Sequence, residues 1–172
     1  EDPLPPGVRA PNRYGVEQTS CTYCAECCIG CNEHSKSSLD LNYLFVAEHR
    51  HGATVATECL AESIVPVNEA GQADPGADGT HGYRVTYRVL DDEASTTVLA
   101  RRVIVSAGSL GSTELLLRCR DVHGTLTRLS PMLGERWSGN GDFLAILAGA
   151  DVHTEPEQGP VITQAIDFNL FD

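Results

Sequence analysis

Basic side chains are scarce in this sequence. Lys and Arg total 12 against 24 Asp and Glu, a formal net charge of −12 over 172 residues. A surface of that sign repels phosphate backbones, which excludes a general nucleic-acid-binding role. No uncharged run approaches the ~20 residues that span a bilayer, so no transmembrane helix is predicted. No cationic leader precedes an apolar run near Glu1, and no secretory signal is visible. The sequence holds no HExxH, no Ser/His/Asp arrangement, no internal repeat and no low-complexity tract. Its six His are scattered, and His81, His123 and His153 read as solvated surface groups. No catalytic residue is assigned.

What is there points to a folded chain with many turns. Apolar residues make up 41%, too many for a wholly disordered chain, and 16 Gly with nine Pro argue against a helical bundle. The length suits one domain, since these run to roughly 100–200 residues. The chain opens on Glu1 rather than Met and closes in sequence of ordinary interior character, so its length is expected to describe a piece of something longer.

Seven Cys is a high count, and five of them, Cys21, Cys24, Cys27, Cys28 and Cys31, are clustered. An odd, clustered set is not the even, dispersed framework of a small secreted domain, and favours reduced thiols or a metal. Cys21, Cys24, Cys27 and Cys31 reproduce the C-x2-C-x2-C-x3-C spacing of an iron–sulfur site, although Asn32 stands where proline would follow. Zinc is open too, with His34 beside three thiolates. So is a loop whose thiols pack as small apolar groups. Cys59 and Cys119 stand alone in apolar surroundings, where a thiol serves as a small hydrophobe.

Along the chain, residues 1 to 20 contain Pro3, Pro5, Pro6 and Pro11 and read as an irregular approach. A helix is predicted after Ser37 or Ser38, carried by Leu41, Leu44, Phe45 and Glu48 and closed by Gly52 behind His49, Arg50 and His51. Ala53 to Thr57 and Ala61 to Val67 look extended, and Asn68 to Gly82 reads as a long loop. Tyr83, Val85, Tyr87 and Val89 alternate with Arg84, Thr86 and Arg88, the period of a half-buried strand. Asp91 to Ala94 turns the chain and Thr96 to Arg102 returns it, giving an antiparallel meander. Val103, Ile104 and Val105 then form a continuous apolar run, as in a buried parallel strand.

A glycine turn and a helix follow that run. Gly108 and Gly111 allow a sharp turn and close approach of a ligand, and the helix over Thr113 to Arg120 offers free N–H groups to an anion. A nucleotide cofactor suits this turn, and so does plain strand-to-helix chemistry, because the third glycine of the dinucleotide fingerprint is missing. Trp137 to Phe143 carries a second tight segment, Asn140-Gly141-Asp142, which a planar ligand could approach and which ordinary turn chemistry also explains.

Taken together, three stretches resemble the glucose–methanol–choline (GMC) family of flavoprotein oxidoreductases, in its cholesterol-oxidase-like branch. They are CTYCAECCIGCNEHSKSSLDLNYL from Cys21 to Leu44, VIVSAGSLGSTELLLR from Val103 to Arg118, and LSPMLGERWSGNGDF from Leu129 to Phe143. The resemblance spans roughly residues 20 to 150 and sets the Cys-rich stretch within a flavoprotein, which ranks the metal reading second. It implies an α/β fold: a partial FAD/NAD(P)-binding, Rossmann-like domain with an antiparallel β-meander and the start of a substrate domain. Residues 1–20 would be the approach, 21–143 the partial FAD domain with its meander at about 58–102, and 144–172 the substrate-domain start.

The implied cofactor is FAD. Ala61 is similar to the position whose backbone meets the adenine. Ser106, Ala107 and Gly108 would pass beside the dinucleotide, and Asn140, Gly141 and Asp142 would begin the passage to the substrate domain. The implied reaction oxidises an alcohol or sterol hydroxyl to a carbonyl by hydride transfer to flavin, with oxygen or another acceptor taking the electrons. The alternative is a small iron–sulfur or zinc module built on Cys21, Cys24, Cys27 and Cys31. Two departures from the family pattern stand out. No strand–GxGxxG–helix unit precedes Cys21, and the family's C-terminal catalytic His has no counterpart before Asp172. The chain is therefore expected to be an internal fragment that binds FAD poorly by itself.

Overall fold

Local side-chain chemistry sets the first elements. Asn12 caps its own turn: its Oδ1 accepts the N–H groups of Tyr14 and Val16 at 2.9 and 3.1 Å, while its N–H donates to the Val16 carbonyl at 2.8 Å. That loop joins β1 (Arg9–Pro11) to β2 (Glu17–Thr19) as an antiparallel pair. The expected irregular approach is thus a hairpin. Pro11 is tolerated because it ends its strand, where the missing N–H is not needed. The computed structural model describes residues 4–139 except Ile29 and Glu93, together with Gly141, Gly149 and Asp151.

The chain divides into two compact units, with the described residues up to Val55, together with Gly149 and Asp151, in the first and those of Ala56–Leu144 in the second. In the first, helix α1 runs over Tyr43–His51 after a 3-10 turn at Leu39–Leu41. Asn42, not Ser37 or Ser38, is the N-cap, its side chain accepting from Tyr43 N–H. Gly52 ends the helix in the left-handed region at φ 67°, where glycine has no Cβ to strain, behind a last turn that carries Arg50, whose charge suits the helix C-terminus. Leu41 is buried, and Asn12 Nδ2 donates to its carbonyl at 2.8 Å, which ties the helix start to the hairpin.

In the second unit, β3 (Cys59–Pro66), β4 (Tyr83–Val89) and β5 (Ser95–Ala100) form an antiparallel sheet in the order β3-β4-β5. A bulge interrupts β3, where Ala61 pairs with Tyr87 and Ser63 with Thr86, leaving Glu62 as the extra residue. Helix α2 covers Gly108–Leu117 and passes into a π-helical turn at Arg118–Val122. Ile64, Leu115 and the fully buried Cys119 make the core, with Ala61, Tyr83, Val85, Val103, Val105 and Leu126 packed against it. Cys119 Sγ also accepts Ile64 N–H at 3.3 Å, so the lone thiol both fills space and satisfies a strand amide.

Two expected strands are absent. Ala53 to Thr57 is exposed and enters no ladder, and Val103 to Val105 is extended but unpaired among the described residues. A ladder requires a neighbouring backbone, and every strand pairing among the described residues is antiparallel. The mixed helix-and-sheet character holds, whereas the parallel sheet of an α/β fold has no pair here. Among the described residues no helix is long and apolar enough to cross a membrane.

Candidate functional site

The Val103–Gly111 segment owes its shape to a one-sided core. Val103 and Val105 pack inward on Ile64, Leu115 and Cys119, which turns Ile104 outward at 89% exposure. The chain then breaks at Ser106 and enters α2 through Ala107 and Gly108. Ala107 N–H donates to Ser112 Oγ at 2.9 Å, which holds the turn closed, and Gly108 sits at φ 76°. A Cβ at Gly108 would meet nothing within 4 Å, so its backbone borders open space. A Cβ at Gly111 would lie 3.3 Å from Ala107 Cβ, so glycine there lets the turn lie close against the helix. Among the described residues no side chain caps α2, which leaves its first-turn N–H groups open to another acceptor.

Ala61 belongs to the same core cluster as Val103 and Val105. Its carbonyl accepts Arg118 Nη2 at 3.0 Å, and Arg118 Nη1 also pairs with Glu114 at 3.2 Å. The structure therefore packs Ala61 with Val103 and Val105, which lead toward α2, and with Leu115 and Arg118 at the far end of that helix, not with its first turn. Ser106, Ala107 and Gly108 are exposed. Asn140 and Asp142 lie outside the described residues, while Gly141 has φ 73° and is exposed.

Sequence reasoning missed Arg118 as a site residue. Its Nε is buried with no hydrogen-bond partner among the described residues, and it borders a cavity of about 490 Å³ with Leu110, Leu117 and Trp137. The Glu114–Arg118 spacing of four on a helix was the available signal.

The cysteine loop forms a separate feature of the first unit. Cys21, Cys24, Cys27 and Cys31 line a cavity of about 230 Å³, and all seven cysteines are free. Cys31 Sγ accepts the N–H groups of Lys36 and Ser35, each at 3.3 Å, and these amides hold the thiol below its ordinary pKa. Among the described residues, no three Cys, His, Asp or Glu side chains are arranged to hold a metal ion. The iron–sulfur or zinc reading therefore finds no ready-made ligand set among the described residues, although the four cysteines line one cavity.

The GMC oxidoreductase family model matches residues 9–120, most of the chain. The chain belongs to the GMC oxidoreductase family. Its match takes in the Cys21–Leu44 and Val103–Arg118 stretches and ends ahead of Leu129–Phe143. Over 136 residues this GMC chain is 36% identical to a cholesterol oxidase of Acinetobacter baumannii, covering 77% of the chain and 23% of that protein. Over 171 residues it is 29% identical to the cholesterol oxidases of two Mycobacterium tuberculosis strains, CDC 1551 / Oshkosh and ATCC 25618 / H37Rv, covering 94% of the chain and 27% of each. The GMC chain thus spans about a quarter of the length of the curated relatives it matches. No solved structure matches it.

Proposed function

We propose that this chain supplies part of the FAD-binding domain of an oxidoreductase that converts an alcohol or sterol hydroxyl to a carbonyl. The observation that carries this reading is the start of α2: an uncapped helix end, entered through a left-handed glycine with open space around it, in a chain of the GMC family. Bare backbone amides at a helix N-terminus suit an anionic or polar ligand edge. Ser106, Ala107 and Gly108 would hold one side of the dinucleotide, with Ala61 contributing backbone from β3. Asn140, Gly141 and Asp142 would lead toward the flavin end, and residues 144–172 would begin the substrate domain.

FAD, when bound, supplies the hydride acceptor. The residues of this chain bind and orient rather than react. Ser112 Oγ keeps the Ala107 amide from turning, and the Ala107–Gly111 contact keeps the turn close to the helix. A small-molecule alcohol or sterol would be the substrate, and oxygen or another acceptor would take the electrons.

The test is a titration of FAD into the 15N-labelled chain. Amide resonances of Ser106, Ala107, Gly108 and Ala61 should move at millimolar FAD. Because the 172 residues hold no GxGxxG unit, flavin should not survive gel filtration with the protein. Shifts confined to other residues, or none, would overturn the assignment, and a retained flavin spectrum would overturn the weak-binding expectation.

A further inference from the structure

The loop between β2 and α1 is bent at positions that ordinary residues avoid. Tyr23, Ala25 and His34 have φ of 61°, 60° and 54°, and Gly30 has φ of 120°. In the left-handed region the Cβ of a non-glycine residue crowds the backbone, so few such residues adopt it. Several of them in one loop mark a shape over-determined by its surroundings, and such strain clusters at functional sites. Here the shape gathers Cys21, Cys24, Cys27 and Cys31 around one cavity and turns backbone amides toward sulfur. Tyr23 N–H donates to Cys21 Sγ at 3.3 Å, while Ser35 and Lys36 both donate to Cys31 Sγ.

Lys36 does two things at once. Its amide reaches the Cys31 sulfur and its Nζ donates to the Cys27 carbonyl at 3.2 Å, so one residue bridges the two cysteines. The remaining charged or titratable neighbours on the wall are Glu33 and Tyr23. Two N–H donors at its sulfur favour the Cys31 thiolate, the reactive form of cysteine. The other cysteines are placed differently. Cys28 is exposed and off the cavity wall, Cys59 Sγ donates to the Thr57 carbonyl at 3.2 Å, and Cys119 is sealed in its core.

We propose that Cys31 is a peroxide-reactive thiol and that Cys27 is its resolving partner, so that this loop is a two-electron thiol switch. The oxidant is hydrogen peroxide, small enough for a cavity of about 230 Å³. The Cys31 thiolate attacks one peroxide oxygen, the O–O bond breaks, and the departing hydroxide takes a proton and leaves as water. Sulfur is then a sulfenic acid. The Cys27 thiolate attacks that sulfur, the S–O bond breaks, and a second hydroxide takes a proton and leaves as water. Two thiols lose two electrons to one disulfide, and one peroxide becomes two waters.

The experiment treats the reduced 172-residue chain with one equivalent of hydrogen peroxide, with and without dimedone, and maps the cysteines by mass spectrometry. Cys31 should take the dimedone label several-fold faster than Cys28 or Cys59, and without dimedone a Cys27–Cys31 disulfide should form. Cys27→Ser should accumulate the Cys31 sulfenic acid, and Cys31→Ser should slow peroxide consumption several-fold. On the unaltered chain, alkylation of Cys31 should titrate with a midpoint below the ordinary thiol value of about 8.5. Equal labelling of Cys31 and Cys28, unchanged consumption in Cys31→Ser, or stoichiometric zinc or iron shielding these thiols would each overturn the proposal.

Discussion

Glu62 joins three strands through one side chain. It is the extra residue of the β3 bulge, and it reaches across β4 to β5: Ser95 Oγ donates to its Oε2 at 2.6 Å and Arg88 Nε to its Oε1 at 3.1 Å. The Ser95 hydroxyl and then the Arg88 guanidinium hold its carboxyl below the usual carboxylate range. A depressed folded-state pKa contributes stability that is present above the unfolded value of about 4.3 and lost as pH falls through the folded one. Asp121 is also held low, by Arg120, but those two are adjacent in sequence and can pair in the unfolded chain as well. Glu62, whose partners lie 26 and 33 positions away, carries the larger difference between the two states. Glu62→Gln should therefore lower the urea midpoint at pH 7 and flatten its fall below pH ~4.3. Parallel pH curves for the two proteins would show that the carboxylate is a bystander.

Glycine controls two element junctions for different reasons, and substitution separates them. Gly82, at the entry to β4, has φ 98°, and a Cβ there would lie 2.7 Å from the Ala100 carbonyl oxygen at the end of β5. Gly108, at the entry to α2, has a similar positive φ but open space around it. Gly108→Ala carries backbone strain alone and should cost about 1 kcal/mol. Gly82→Ala adds a backbone collision inside the meander and should cost about 3 kcal/mol in denaturant unfolding. Equal losses would contradict the close approach. The meander was legible in sequence because Tyr83, Val85, Tyr87 and Val89 carry a strict period of two. Helix α1 was legible because Gly52, a left-handed C-cap behind Arg50, forms a local stop. The pairing of Val103–Val105 was not, since a strand's ladder depends on distant partners and apolar character specifies burial alone. The setting of Cys31 was equally hidden. Its amide donors reach sulfur only because Tyr23, Ala25 and His34 adopt conformations that no propensity announces. At the candidate site, a helix after the Val103–Val105 run could be read from sequence, but it starts at Gly108 rather than Thr113, so both glycines lie inside its first turn. Arg118's reach to the Ala61 carbonyl needed the tertiary packing.

At the scale of the whole chain, charge dominates what neither residue nor element explains. A surplus of 12 negative charges is carried by 172 residues, and folding concentrates it. Against it stand ion pairs such as Arg9–Glu17, whose side chains are 73% and 69% exposed, and exposed pairs of this kind contribute about 0–1 kcal/mol each. Salt weakens both terms, but unequally. Raising ionic strength from about 0.01 M to 1 M shortens the Debye length from ~30 Å to ~3 Å, which removes long-range repulsion almost entirely. A contact pair at 3 Å, and the hydrogen bonds within it, is screened much less. Sodium chloride should therefore raise the thermal midpoint of the chain, steeply below about 0.2 M and then levelling as the Debye length falls under the spacing of surface charges. A midpoint that falls monotonically with chloride would mean that attractive pairs outweigh the net charge.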